Sequence, residues 1–148
     1  IGATLQGNEY ALDDLIRNNG VGKLLSIIEC PSLSVVRRGM EVLHHVCESG
    51  NESELYDKAS RDNHKGLKAI FNQLESEDLH TRVAALRIVN LLLESALKEA
   101  IMEEIESNSV ILVLQNSLSV TTPEIIVGLR QFEKNTGKKL TGGNDTMK

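Results

Sequence analysis

The sequence predicts an all-α protein, a right-handed superhelix of stacked helical triplets. Three observations lead there. Apolar residues recur at helical rather than alternating spacing along the chain, and only two prolines, Pro31 and Pro123, interrupt it, both in predicted connections. The stretch Gly66 to Ser95, GLKAIFNQLESEDLHTRVAALRIVNLLLES, reads as two amphipathic helices, the second apolar over most of its surface. Such a helix must lie between other helices. Finally, the same pattern recurs before and after that stretch.

The elements follow in order. From Glu9 to Asn18, Leu12, Leu15 and Ile16 sit at helical spacing, and Asn19-Gly20 stops the helix. Val21 to Cys30 is a second short helix with Val21, Leu24, Leu25 and Ile28 on one face. Pro31 to Ser34 connects it, with Ser34 as the expected N-cap, to a longer helix from Val35 to Glu48 that ends at Ser49-Gly50. A second round opens at Asn51, which with Glu54 resembles a capping box. A polar helix with Leu55, Tyr56 and Ala59 runs to about Asp62, and helices over Leu67 to Glu75 and Thr81 to Glu94 follow. The third round comprises Leu97 to Glu106, Val110 to Leu118, and a helix opened by Thr122-Pro123-Glu124 that carries Ile125, Ile126, Leu129 and Phe132. Proline fits the first helical position because its missing donor would be unpaired there.

A shift of 46 positions lays Met40 on Leu86, Leu43 on Val89, Val46-Cys47 on Leu92-Leu93, Gly20 on Gly66 and Leu33 on Leu79. A shift of 43 pairs Leu86 with Leu129 and Arg87 with Arg130, and makes Gly39, Ala85 and Gly128 a series of small residues suited to close helix crossing. A mid-forties period with three helices per round is the pattern of armadillo-type or HEAT-type repeats. The expected domain is residues 1–133, with repeats at about 9–50, 51–95 and 96–133. Residues 134–148, rich in Gly, Lys, Thr and Asn, are expected to be a flexible tail or linker.

Composition narrows the function. Of 148 residues, 41% are hydrophobic and 25% charged, as in an ordinary globular chain. The aromatic share of 3% leaves the core to Leu, Ile and Val, and offers single-stranded nucleic acid little to stack on. Sixteen basic against 21 acidic side chains give a net charge of −5, which argues against nucleic acid and anionic membranes as partners. No apolar run approaches a membrane span, so no insertion is expected. Cys30 and Cys47 lie on apolar faces and are expected as reduced, buried thiols in a cytoplasmic setting. The chain starts at Ile1 with no signal-peptide pattern, as expected of a domain from a longer protein.

No catalytic constellation emerges, and no enzymatic activity, cofactor or metal is expected. His44 and Cys47 lie one turn apart, but zinc needs three or four ligands, and Cys47 aligns with the core residue Leu93. The informative polar pattern is on the third helix of each round. Arg87, Asn90 and Glu94 share a stripe at offsets of 3 and 7 on an otherwise apolar helix. The equivalent stripe is Glu41, His44 and Glu48 in the first round, and Arg130, Glu133 and Gly137 in the third. Stacked side by side, these would line a concave trough, to which Arg37 and Arg38 add charge suited to a protein partner.

The segments GVGKLLSIIE and GLKAIFNQLES look like second helices of armadillo repeats, and RIVNLLLES is similar to their third-helix pattern. In order and loop length, the run from ELYDKA through RIVNLLLES to SVILVLQNSLS and PEIIVGLRQF resembles the armadillo-like region of the ELMO (engulfment and cell motility) family. That resemblance implies a cytosolic scaffold that binds a Rho-family GTPase and partners an exchange factor in actin and cell-motility signalling. The armadillo region of diaphanous-type formins, which also binds Rho GTPases and autoinhibits the formin, is the alternative resemblance. A third expectation is a structural spacer that packs on further repeats of the same chain.

Overall fold

The computed structural model describes residues 9–116 and 122–140, and all the regular structure among them is helical. The helices are α1 (Glu9–Arg17), α2 (Gly20–Ile27), α3 (Leu33–Glu48), α4 (Glu52–Ala59), α5 (Arg61–Asn72, followed by a 3-10 turn at Gln73–Glu75), α6 (Leu79–Leu93), α7 (Lys98–Ser107), α8 (Val110–Asn116) and α9 (Pro123–Thr136). Two shorter helices precede each of the long ones, α3, α6 and α9.

The turns between the first and second helices share one device. Asn19 before α2 and Ser109 before α8 are left-handed, with φ of 58° and 55°. At the corresponding place in the middle, Asp62, Asn63 and His64 are all left-handed, with φ of 55°, 63° and 61°. They kink the helical run that starts at Arg61, where the sequence led us to expect the preceding helix to continue to Asp62. Each left-handed residue with a Cβ costs about 1–2 kcal/mol relative to the right-handed form, least for Asn and Asp. The long helices α3 and α9 are followed by left-handed glycines, Gly50 and Gly137, where a Cβ would be penalised.

Two capping expectations need correction. The N-cap of α3 is Ser32 rather than Ser34, and the two hydroxyls lie 3.3 Å apart without capping the backbone. Asn51 does precede α4, but its side chain makes no capping bond, so no capping box forms. The cap that works is Asp78, whose carboxylate accepts from the Thr81 amide at 2.9 Å and from the Thr81 hydroxyl at 2.7 Å.

One core runs through the molecule. Helix α6 is its centre, packed along one side by α3 and along the other by α9, the two most extensive helix contacts. The pairings ascend together: Arg37 meets Asp78 at the N-terminal ends of α3 and α6, while Leu86 meets Gly128 and Glu94 meets Asn135 between α6 and α9. The three long helices are therefore parallel neighbours. Met40, Leu86 and Leu129 are all buried. The small-residue series does not serve one purpose, however. A Cβ on Gly128 would clash with Leu86 of the adjacent long helix, whereas one on Gly39 would touch Ile28 at 3.1 Å, at the end of α2 in its own triplet.

Beyond α9 the chain turns back: Leu140 is 2% exposed, and its amide donates to the Glu133 carboxylate at 2.7 Å. Helix α9 itself continues through Thr136, past the predicted domain end at 133. Residues 117–121 and 141–148, including the predicted end of the Val110 helix at Leu118 and most of the predicted tail, lie outside the described residues.

Candidate protein-binding cleft

Packing α6 between two parallel neighbours leaves one long side of it facing outward, and a cleft of about 470 Å³ opens there. Its floor is Val83, Leu86, Arg87, Asn90 and Leu91 of α6. One wall is His44 and Glu48 of α3, and the other is Pro123, Glu124, Val127, Gly128 and Gln131 of α9. The floor is apolar because α6 needs Leu and Val to meet two neighbours at once. Its polar groups are Arg87, which is exposed, and Asn90, which is buried against α9.

Within this cleft Asn90 is tied into the fold. It is 5% exposed, its amide donates to the Gly128 carbonyl at 3.1 Å, and its side-chain oxygen accepts from Asn135 at 3.2 Å. Glu94 is held in the same network, accepting from Gln131 at 2.9 Å and Asn135 at 3.0 Å. These bonds join α6 to α9. Asn90 is thus a helix-to-helix clamp, not a free amide presented to a peptide.

His44 lies 3.7 Å from Glu48 on the α3 wall. Burial pushes its pKa below the ordinary histidine value, and nearby Arg87 and His45 push the same way against the pull of Glu48. His44 is therefore neutral at pH 7. Cys47, one turn from it, is 1% exposed, and desolvation raises its thiol pKa to about 12, with Glu52 and Glu48 adding to the effect. A thiol so placed is a poor nucleophile and a poor metal ligand. Among the described residues, no group of three or more His, Cys, Asp or Glu side chains is arranged to hold a metal.

Of the trough residues expected from the sequence, the cleft gathers His44, Glu48, Arg87 and Asn90, with Glu94 joined to its Gln131 edge. The others lie elsewhere. Arg37 makes a two-pronged pair with Asp78, its Nε 3.0 Å from Oδ2, and so braces the start of α6. That hydrogen bond, followed by those from Thr81, holds the Asp78 carboxyl well below the usual carboxylate range against the cost of its burial. Arg38 and Glu41 are exposed on α3 outside the cleft, as is Arg130 on α9. Glu133 holds the Leu140 amide. The third-round stripe that does reach the cleft is Glu124, Val127 and Gln131. The buried line of α9 is Ile125, Leu129 and Phe132. Glu124, Gly128 and Gln131 each precede one of these residues, whereas Arg130 and Glu133 each follow one. At 100° per residue the two sets flank the buried line on opposite sides.

No helix among the described residues is long and apolar enough to cross a membrane. No protein-family model, curated protein or solved structure matches this chain.

Proposed function

We propose that the chain is an armadillo-type superhelix of three helical triplets that acts as a non-enzymatic protein-interaction scaffold, with the cleft over α6 as its docking site. The observation that carries this reading is the cleft itself: an apolar floor rimmed by charged side chains, shared among all three long helices. Protein interfaces concentrate their energy in such desolvated centres with polar rims. The partner class we place first is a Rho-family small GTPase or its exchange-factor complex, in a cytoplasmic actin and cell-motility setting. The sequence resemblance to the ELMO family supports it. The test is a titration of the chain with a Rho-family GTPase loaded with GDP or with a GTP analogue. Binding of the GTP-analogue form, weakened at least about tenfold by Val127→Arg, is expected if the cleft is the docking site. Val127 is 67% exposed on the cleft wall, so the bulky cation obstructs the site without entering the core. Absence of binding to either nucleotide form removes this partner class.

A second reading has an observation of its own. Leu112 of α8 is 56% exposed and Ile126 of α9 is 37% exposed, so the last triplet keeps large apolar side chains in solvent. That is what a spacer stacked against a further repeat would present, because internal repeats lack polar caps.

A further inference from the structure

From Thr81 to Leu93, Arg87 is the only exposed residue of α6. It rises from an apolar floor between Leu86 and Leu91, and among the described residues its guanidinium has no hydrogen bond and no carboxylate partner. The other arginines nearest this face differ. Arg37 is committed to Asp78, and Arg82 donates from two nitrogens to the Ser76 carbonyl at 3.2 and 2.8 Å. The wall carboxylates Glu48 and Glu124 are exposed, and neither is within ion-pair reach of Arg87. Among the described residues nothing pairs with this cation, although its five donors on a planar fork stand beside the apolar Leu91 and Val127.

Resting on the reading of the cleft as a docking site, we infer that it takes a peptide segment of a protein partner in which one carboxylate side chain adjoins a large apolar side chain. The carboxylate pairs with Arg87, and the apolar group covers Val83, Leu91 and Val127. A guanidinium and a carboxylate form paired charge-assisted bonds, strongest where neighbouring apolar groups exclude water. Neutral His44 beside Arg87 adds a ring that donates or accepts one further bond without repelling either charge. Glu48 and Glu124 on opposite walls set the flanks of the ligand. They disfavour a run of acids and favour neutral or basic residues on either side of the single carboxylate.

The test pans a display library of short random peptides against the full chain, then measures the enriched peptides against wild type, Arg87→Glu, Arg87→Gln and Val127→Arg. The expected winners share an Asp or Glu next to Leu, Ile, Phe or Trp. They bind Arg87→Glu at least about tenfold more weakly, and they lose as much when their own acid is changed to its amide. Circular dichroism and thermal melts confirm that the variants fold, and Arg87→Gln repeats the loss without adding a charge. Winners that carry a cation or no charge at that place, or that bind Arg87→Glu as tightly as wild type, overturn the inference. If such peptides are still blocked by Val127→Arg, the cleft remains a docking site and only its carboxylate preference falls. If Val127→Arg leaves every peptide bound, both readings fall together.

Discussion

Leu86 of α6 and Gly128 of α9 are packed so closely that a Cβ on the glycine would stand 2.5 Å from Leu86 Cδ2. This contact brings α9 alongside the central helix and lets Asn90 reach the Gly128 carbonyl. The cleft wall is where it is because residue 128 has no side chain.

Gly128→Ala is therefore expected to destabilise the fold. Leu86 is 2% exposed and cannot swing into solvent, so the added methyl overpacks the helix interface at a cost of about 1–3 kcal/mol. The helix-propensity gain of Ala over Gly returns about 0.5–1 kcal/mol of that. Urea unfolding measures the net loss. A variant more stable than wild type would show that the two helices are not in close contact.

Asn90→Ala is expected to lower stability by about 1–3 kcal/mol, since it removes two part-buried hydrogen bonds between α6 and α9, to the Gly128 carbonyl and from the Asn135 amide, which keeps its bond to Glu94. A double-mutant cycle with Asn135→Ala isolates the coupling. A free, partner-facing asparagine would give a stability loss near zero and no coupling.

Asp78 links a cap to an interhelical ion pair. Its carboxyl is held below the usual range when folded, so the unfolded chain binds the proton more readily as pH falls from about 4, the ordinary aspartate value. The stabilisation is complete above that pH and is lost as acid protonates the folded carboxylate. Asp78→Ala is expected to cost about 0.5–2 kcal/mol at pH 7 through loss of the cap and to flatten the acid limb of the stability curve. Urea midpoints from pH 7 down to pH 3 for wild type and variant check both. An unchanged acid limb in the variant would exclude Asp78 as a contributor.

The two thiols are expected to react in two steps. Cys30 is exposed, against the expectation of two buried thiols, because the helix ends at Ile27 before reaching it, while Cys47 is buried with its pKa raised to about 12. A chromogenic disulfide reagent is expected to label one thiol promptly in the folded chain and the second only in denaturant. Prompt labelling of both would contradict the packing of α3 against the core.

The helices were legible because burial leaves apolar residues at helical spacing: Leu43, Val89 and Phe132 are all buried, and Asn19 and Ser49-Gly50 mark breaks. The trough was legible as far as α6, where Arg87 and Asn90 interrupt an otherwise apolar helix, and on α3, where His44 and Glu48 follow by the 46-residue shift. It was not legible on α9. A buried line of Ile125, Leu129 and Phe132 fixes which side of the helix faces the core, but not which flank of that line turns towards α6. The 43-residue shift chose the flank of Arg130 and Glu133, and the Gly128 contact with Leu86 selects the other. The pairing of Gln131 and Asn135, four residues apart on one face, was the available sign. The three left-handed residues at 62–64 left no sign beyond an Asp-Asn pair, because they follow from how α4 and α5 must meet. Gly66 presses so close to Ala59 that a Cβ would stand 2.9 Å from its Cα.

The central claim is that the surface shared by α3, α6 and α9 is where this protein meets its partner. Methyl chemical-shift mapping tests it most directly, with the chain labelled at Leu and Val and titrated with the GTP-analogue-loaded GTPase. The account predicts that the shifts concentrate on Val83, Leu86, Leu91 and Val127. Saturable binding whose shifts fall instead on Leu112 or Leu33, with these four methyls unmoved, would contradict it.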